Sequence, residues 1–305
     1  MPADLLASIL LSASRPPSLW CQTLLLGTTA GFLALCALPD ALYQRLASYG
    51  ARDAHHDKTR TGGWVFHRVP HAWFWHFYFV SVCWSAFWAW QFFTRGAVMA
   101  VLARAQLEFA ASESSSTELG RVYLAWAMMA AQGSRRLFEC FFVLRSGSSS
   151  MLWVHWLVAV VFYTTVSVAI WIHGSGAILE SWTSTEPVPT LSLRDLSGLV
   201  VFLVAWLGQN SCHRHLASLP KYTLPDRGLF RSIVCPHYTC ECVVYLALAF
   251  VAAPSGRLFN PTLLCVVAFV VTNLGITARG TKQWYAQKFG REKVAGRWNM
   301  IPLVY

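Results

Sequence analysis

The sequence predicts an all-α integral membrane protein, a bundle of about seven transmembrane helices with its C-terminus in the cytosol. Three observations carry this. The 305 residues are 55% hydrophobic and only 12% charged, where a soluble domain carries about 25% charged residues. Apolar segments near membrane-spanning length recur at 20–38, 72–94, 122–144, 151–173, 196–212, 238–253 and 261–278. Lysine and arginine alternate between the loops. The loops after the first, third and fifth segments and the tail, counted with Arg135 and Arg136 near the end of the third segment, hold 18 of the 24, which assigns that side to the cytosol. The net charge of +10 is therefore topological and no sign of nucleic acid. The whole of 1–305 reads as one polytopic unit, with no room for an ordinary soluble domain.

Taken in order, residues 1–19 lack a basic n-region and a small-residue cleavage site, so no signal peptide is expected and the first span doubles as the targeting signal. The loop 39–71 is basic and bears histidines. The second span is free of Lys, Arg, Asp and Glu and is crowded with aromatics, some at headgroup level. His76 and Tyr78 lie in it. Two apart on a helix, they do not share a face, and each could be structural or aimed at a ligand. Residues 108–118 read as a polar loop. The third span carries Arg135, Arg136 and Glu139. Adjacent arginines at membrane depth need anionic company, from Glu139, lipid headgroups or a phosphate, or else they anchor the cytosolic end.

The fifth span closes on Gln209-Asn210-Ser211-Cys212-His213-Arg214-His215, where i, i+2 spacing points the two histidines apart. No H-x2-H-H set accompanies the single H-x3-H pair, His67 and His71, so a membrane di-iron centre is not expected, and no other metal is. Nine cysteines, mostly inside spans, read as small buried hydrophobes. No G-x-G-x-x-G or P-loop is present, so a nucleotide would be held by something other than a Rossmann turn.

The stretch around which the chain is organised starts as a turn, Pro225-Asp226-Arg227-Gly228, and continues through Cys235-Pro236-His237-Tyr238 to Glu241. Spacings of three and four set His237, Tyr238 and Glu241 on one helical face. A carboxylate one turn inside an apolar segment is costly. It marks a site with a polar partner, unless it snorkels or pairs with a loop arginine.

Four blocks carry a resemblance. They are Val69-Pro70 through His76-Phe77-Tyr78, then Arg135-Arg136-Leu137-Phe138-Glu139-Cys140, then Gln209 with Cys212-His213, and finally Pro225 to Pro302. Together they resemble the steroid 5-alpha-reductase family, and within it the polyprenol reductase branch that serves dolichol synthesis. The resemblance implies a multi-pass enzyme of the endoplasmic reticulum membrane. It would use NADPH from the cytosolic face on a long-chain isoprenoid, polyprenal or polyprenol. Residues 20–144 would form the substrate side and 196–305 the cofactor side. His237 and Glu241 fall where the family meets the nicotinamide, and Gln209, His213 and Tyr222 where it holds the rest of the cofactor. Gly228, Asn273 and Tyr285 join that set, Tyr285 as the tail tyrosine closing over it. Lys282 stands where the family carries histidine, and it could bind phosphate as a point charge.

Hydride chemistry narrows the substrate. An isolated or allylic-alcohol C=C is not electrophilic, whereas conjugation to a carbonyl makes the β-carbon an acceptor and leaves an oxygen anion to be stabilised. Polyprenal is therefore the expected species. His76, Tyr78 and Arg136 are the residues expected to polarise its oxygen or supply the proton. Two rivals stand beside this: a steroid 3-oxo-4-ene reductase, and a membrane isoprenylcysteine methyltransferase. The latter shows R-H-P-x-Y where this chain has Cys235-Pro236-His237-Tyr238.

Overall fold

A computed structural model describes residues 15–39, 42–43, 46, 67–109, 116–144, 149–184, 190–220 and 222–305. Most of the basic loop 39–71, the start of the chain, and 110–115 of the predicted polar loop lie outside the described residues.

The chain is a helical bundle. Its helices are α1 (Pro17–Leu35), α2 (Trp75–Phe93), α3 (Ala97–Phe109), α4 (Leu119–Phe142), α5 (Trp153–Ala169), the short α6 (Ser175–Ser181), α7 (Leu193–Ser218), α8 (Pro236–Val251) and α9 (Pro261–Phe289). Each predicted span overlaps one long helix. By length and composition, α1, the run from Trp153 to Ser181, and α9 are able to cross a membrane, and α8 is a shorter apolar helix. Exposed leucines and valines along α7, such as Leu193, Val200, Val204 and Leu207, give that helix an apolar outer face.

One expectation is corrected. The polar loop was predicted to begin at 108 and no helix was predicted before it, but α3 forms over Ala97–Phe109, burying Met99 and Ala103 and turning Arg104 outward. Charges at 104 and 108 hide a helix that packs by one face only. The last predicted span, 261–278, lies within α9, which continues to Phe289 and carries Lys282 and Tyr285 on the same helix as the apolar run.

Local chemistry explains the boundaries. Pro17, Pro236 and Pro261 open α1, α8 and α9 at positions that need no N–H donor. Asn260 caps α9, its side-chain oxygen accepting from Thr262 N at 3.0 Å and Leu263 N at 3.1 Å. Ser192 and Asp195 form a capping box on α7. Gly290, with φ 104°, ends α9 in a conformation that L side chains resist.

Two strands, β1 (Arg68–Pro70) and β2 (Ser150–Leu152), pair antiparallel with Val69 opposite Met151. They tie the entry of α2 to the entry of α5. The main core runs through α2, α4, α5, α7, α8 and α9, with fully buried Val166, Val244, Leu248 and Leu263. A smaller cluster of Trp88, Phe92, Met99, Trp171 and Ile178 seats α3 and α6.

Both ends of the α4–α7–α8 group are tied by buried polar contacts. At one end Arg121 pairs with Asp195 at 2.9 Å. Arg121 and Arg194 each donate to the carbonyl of Phe250 at 3.3 Å, which caps the last turn of α8. α4 and α7 start here and α8 ends here, so α8 runs opposite to the other two. The far end brings Gln132–Glu139, Gln209–His213 and His237–Glu241 to one level.

Candidate functional site

The site grows from a polar stripe on α4. Gln132, Arg135, Arg136 and Glu139 stand at helical spacings of three and four and are all buried, Glu139 completely. Gly133, on the same helix, allows a close approach to α2: a methyl group there would meet Ser81 Oγ at 2.9 Å. One turn along, Tyr78 comes within reach of Arg136.

Arg136 uses both edges of its guanidinium. Nε and Nη2 donate to the Tyr78 hydroxyl at 3.1 and 2.9 Å, while Nη1 binds Glu139 Oε2. Glu139 divides its oxygens between two arginines. Oε1 accepts from Arg135 Nη1 at 2.6 Å and Asn210 Nδ2 at 2.6 Å. Oε2 takes Arg136 and lies 2.7 Å from His213 Nδ1. That ring nitrogen also lies 2.7 Å from Arg136 Nη1, so as N–H it donates to Glu139 and as a bare nitrogen it accepts from Arg136. Burying an arginine pair without this carboxylate would leave charge uncompensated.

A second layer joins the stripe to α8. Arg135 Nη2 donates to Gln132 Oε1 at 2.8 Å and also to Gln209 Oε1. The side-chain amide nitrogens of Gln132 and Gln209 both donate to Glu241 Oε2, the first at 3.1 Å. The polar partners required by a carboxylate one turn into α8 are therefore two glutamines. Glu241 Oε1 accepts no hydrogen bond among the described residues. The His237 ring lies 5.5 Å from that of His213, and its Nδ1 is buried without a hydrogen-bond partner. An open acceptor and an orphaned ring nitrogen, side by side on α8, suit a ligand carrying amide N–H donors and polar edges.

The predicted residues divide. Tyr78, Arg136, Gln209 and His213 meet in one network, and Gln209 carries it on to Glu241, beside which His237 stands. His76 stands apart: its Nδ1 accepts from Trp156 Nε1 at 3.1 Å, among the rings of Trp73 and Trp75.

The remaining predicted residues gather around the loop before α8 and the end of α9. Gly228 (φ 54°) opens the turn Gly228–Arg231, with open space where a side chain would stand. The ring of Phe230 on that turn is 6.3 Å from His237. Tyr222, itself at φ 66°, carries the Lys288 ammonium 3.9 Å above its ring. Lys282 Nζ donates to the Arg297 carbonyl at 2.5 Å, and Arg297 Nη1 to the Pro225 carbonyl at 2.6 Å, strapping tail to loop. Tyr285 is half-buried beside Trp284 and Phe289, and Asn273 is half-buried in the middle of α9. Gln132 is a site residue the sequence reading did not single out; its signal was the i, i+3, i+4, i+7 stripe through Arg135, Arg136 and Glu139.

The family described as 3-oxo-5-alpha-steroid 4-dehydrogenase matches residues 150–305, which include α5 to α9 and the tail. Polyprenal reductase of Xenopus laevis is 26% identical over 309 residues, covering 92% of this chain and 89% of that protein. Polyprenal reductase of Saccharomyces cerevisiae is 33% identical over 171 residues, 56% of this chain and 60% of that one. Polyprenal reductase 1 of Arabidopsis thaliana is 25% identical, over 78% of this chain and 82% of its own length.

Proposed function

The chain belongs to the 3-oxo-5-alpha-steroid 4-dehydrogenase family, and from that membership we propose that it reduces the α-isoprene double bond of polyprenal in dolichol synthesis, using NADPH. Relatives that match over most of the chain include polyprenal reductases, which favours the isoprenoid aldehyde over a steroid enone. The observation that carries the chemistry is the pairing of Tyr78 with Arg136.

Tyr78 oxygen already accepts two N–H groups from Arg136, so its own proton is free to be donated elsewhere. A phenol held in this way hydrogen-bonds a substrate carbonyl oxygen and strengthens that bond as negative charge develops there. Arg136 spreads its positive charge behind the phenol, and Glu139 keeps Arg136 in place. The α-carbon then needs a proton, which the phenol can supply directly or through the enol oxygen.

NADPH would be held by Glu241 and His237 at the nicotinamide end. Gln209 and His213 stand behind them, and Tyr222, Gly228, Asn273, Lys282 and Tyr285 serve the remainder. Bound there, it supplies the hydride that the β-carbon of an α,β-unsaturated aldehyde accepts. Lys282 gives one of its three N–H donors to a backbone carbonyl, which leaves two for a phosphate. The topology proposed with this reading has seven crossings and a cytosolic C-terminus in the endoplasmic reticulum membrane.

Purified protein given NADPH with polyprenal, with polyprenol, and with a 3-oxo-4-ene steroid in parallel tests the reading. Saturation of polyprenal alone supports it. Turnover of the steroid in preference to polyprenal would move the substrate to the other branch of the family.

A further inference from the structure

Glu139 is fully buried and has no capacity to spare. Its two oxygens serve Arg135, Arg136, Asn210 and His213, from two different helices. Arg136 turns one edge to Glu139 and the other to Tyr78. A guanidinium is planar and rigid, so fixing one edge fixes the direction of the other. Arg135 is held likewise, bound by Glu139 through Nη1 while Nη2 reaches the two glutamines. One carboxylate therefore sets the orientation of both cations, one toward the phenol and one toward the layer that holds Glu241.

We propose that Glu139 is a positioning residue: it acts through Arg136 to hold the Tyr78 phenol in its donating orientation, and contacts neither substrate nor cofactor. This rests on the reductase reading for its catalytic consequence, but not for its structural one. In Glu139→Gln one acceptor becomes an N–H2 group facing cations and other donors. The Arg136 edge is released, and Tyr78 loses one or both of its N–H partners.

The test has two arms. In turnover of polyprenal at saturating NADPH, Glu139→Gln lowers kcat at least about ten-fold, the worth of one charge-assisted hydrogen bond. Glu139→Gln/Tyr78→Phe is then no slower than Tyr78→Phe alone, because both changes break one chain of contacts. Losses that multiply would assign Glu139 a general structural role and overturn the inference. The second arm needs no substrate. With [13Cζ]tyrosine in the protein, the Tyr78 resonance, identified by its loss in Tyr78→Phe, shifts in Glu139→Gln. An unchanged resonance overturns the inference whatever the enzyme reduces. A wild type inactive on polyprenal with the resonance still displaced would instead count against the substrate alone. If Glu139→Gln does not fold, Glu139→Asp retains the charge on a shorter stem, and its Tyr78 resonance moves in the same direction by less.

Discussion

Arg136 donates two hydrogen bonds to a single oxygen, the Tyr78 hydroxyl, from Nε at 3.1 Å and Nη2 at 2.9 Å. The guanidinium carbon also lies 4.7 Å from the centre of the Tyr78 ring. The phenol is thereby held by a cation on its acceptor side, with its proton directed away. That relationship makes Tyr78, among the three residues predicted for catalysis, the one placed to give a proton.

Tyr78→Phe keeps the ring packed against Tyr163 and removes only the hydroxyl. It should lower kcat by about 10²–10⁴-fold, the usual contribution of a positioned acid, with NADPH affinity unchanged. Steady-state turnover and cofactor titration read the two quantities separately. A Tyr78→Phe enzyme at full kcat would remove the phenol from the chemistry. His76→Phe, by contrast, should retain most activity, since among the described residues the ring accepts only from Trp156.

The case for the cofactor turns on Glu241. Its Oε2 is satisfied by Gln132 and Gln209, and its Oε1 is open. Glu241→Gln keeps the shape but presents N–H2 where the carboxylate had only acceptors. It should insert and fold, and bind NADPH at least about ten-fold more weakly, in line with one charge-assisted hydrogen bond. His237→Ala should act in the same direction, with losses that do not add if both residues meet the same ligand. Fluorescence titration of NADPH against wild type and each variant decides this. Unchanged affinity in Glu241→Gln would make the carboxylate structural.

Much of this was readable in the sequence because helices impose a period. The spans follow apolar runs, and Tyr78, Arg136, His213 and Glu241 fall in one connected network because a polar group in or at the end of a span demands a partner. The divergence of His213 from His215 followed from i, i+2 spacing: His213 enters the cluster, while His215 packs near the Phe230 ring. Less legible was anything depending on chain segments far apart. Nothing local announces that Lys282 will find the Arg297 carbonyl, or that Gln132 on α4 will meet Glu241 on α8. The helix α3 was missed because its charges masked a narrow apolar face.

At the opposite end of the bundle, Arg121 and Asp195 are almost fully buried and paired. Arg121→Ala leaves Asp195 without its cation and should destabilise the protein by about 3–5 kcal/mol, the cost of breaking a buried pair from one side. Arg121→Ala/Asp195→Ala should be less damaging than Arg121→Ala alone. Thermal unfolding in detergent measures both. Two equally stable variants would mean that the pair contributes little to holding α4 on α7.

The split of lysines and arginines, 18 of 24 on one side when Arg135 and Arg136 are counted with the loops and tail, predicts a cytosolic C-terminus. A glycosylation acceptor fused after Tyr305 should stay unmodified, and one fused before Met1 should be used. The reverse pattern would put the loop before α8 and the tail of α9 on the side away from cytosolic NADPH.

The central claim is conjugate reduction of an aldehyde, and isotopic labelling tests it most directly. Purified protein is given polyprenal and NADPH carrying deuterium at the transferable position, in ordinary water, then unlabelled NADPH in deuterated water. The product is read by mass spectrometry and NMR. The account predicts deuterium from the cofactor on the β-carbon, deuterium from solvent on the α-carbon, and no reaction of free polyprenol under either condition. Cofactor deuterium on the carbonyl carbon, or saturation of polyprenol itself, would contradict it.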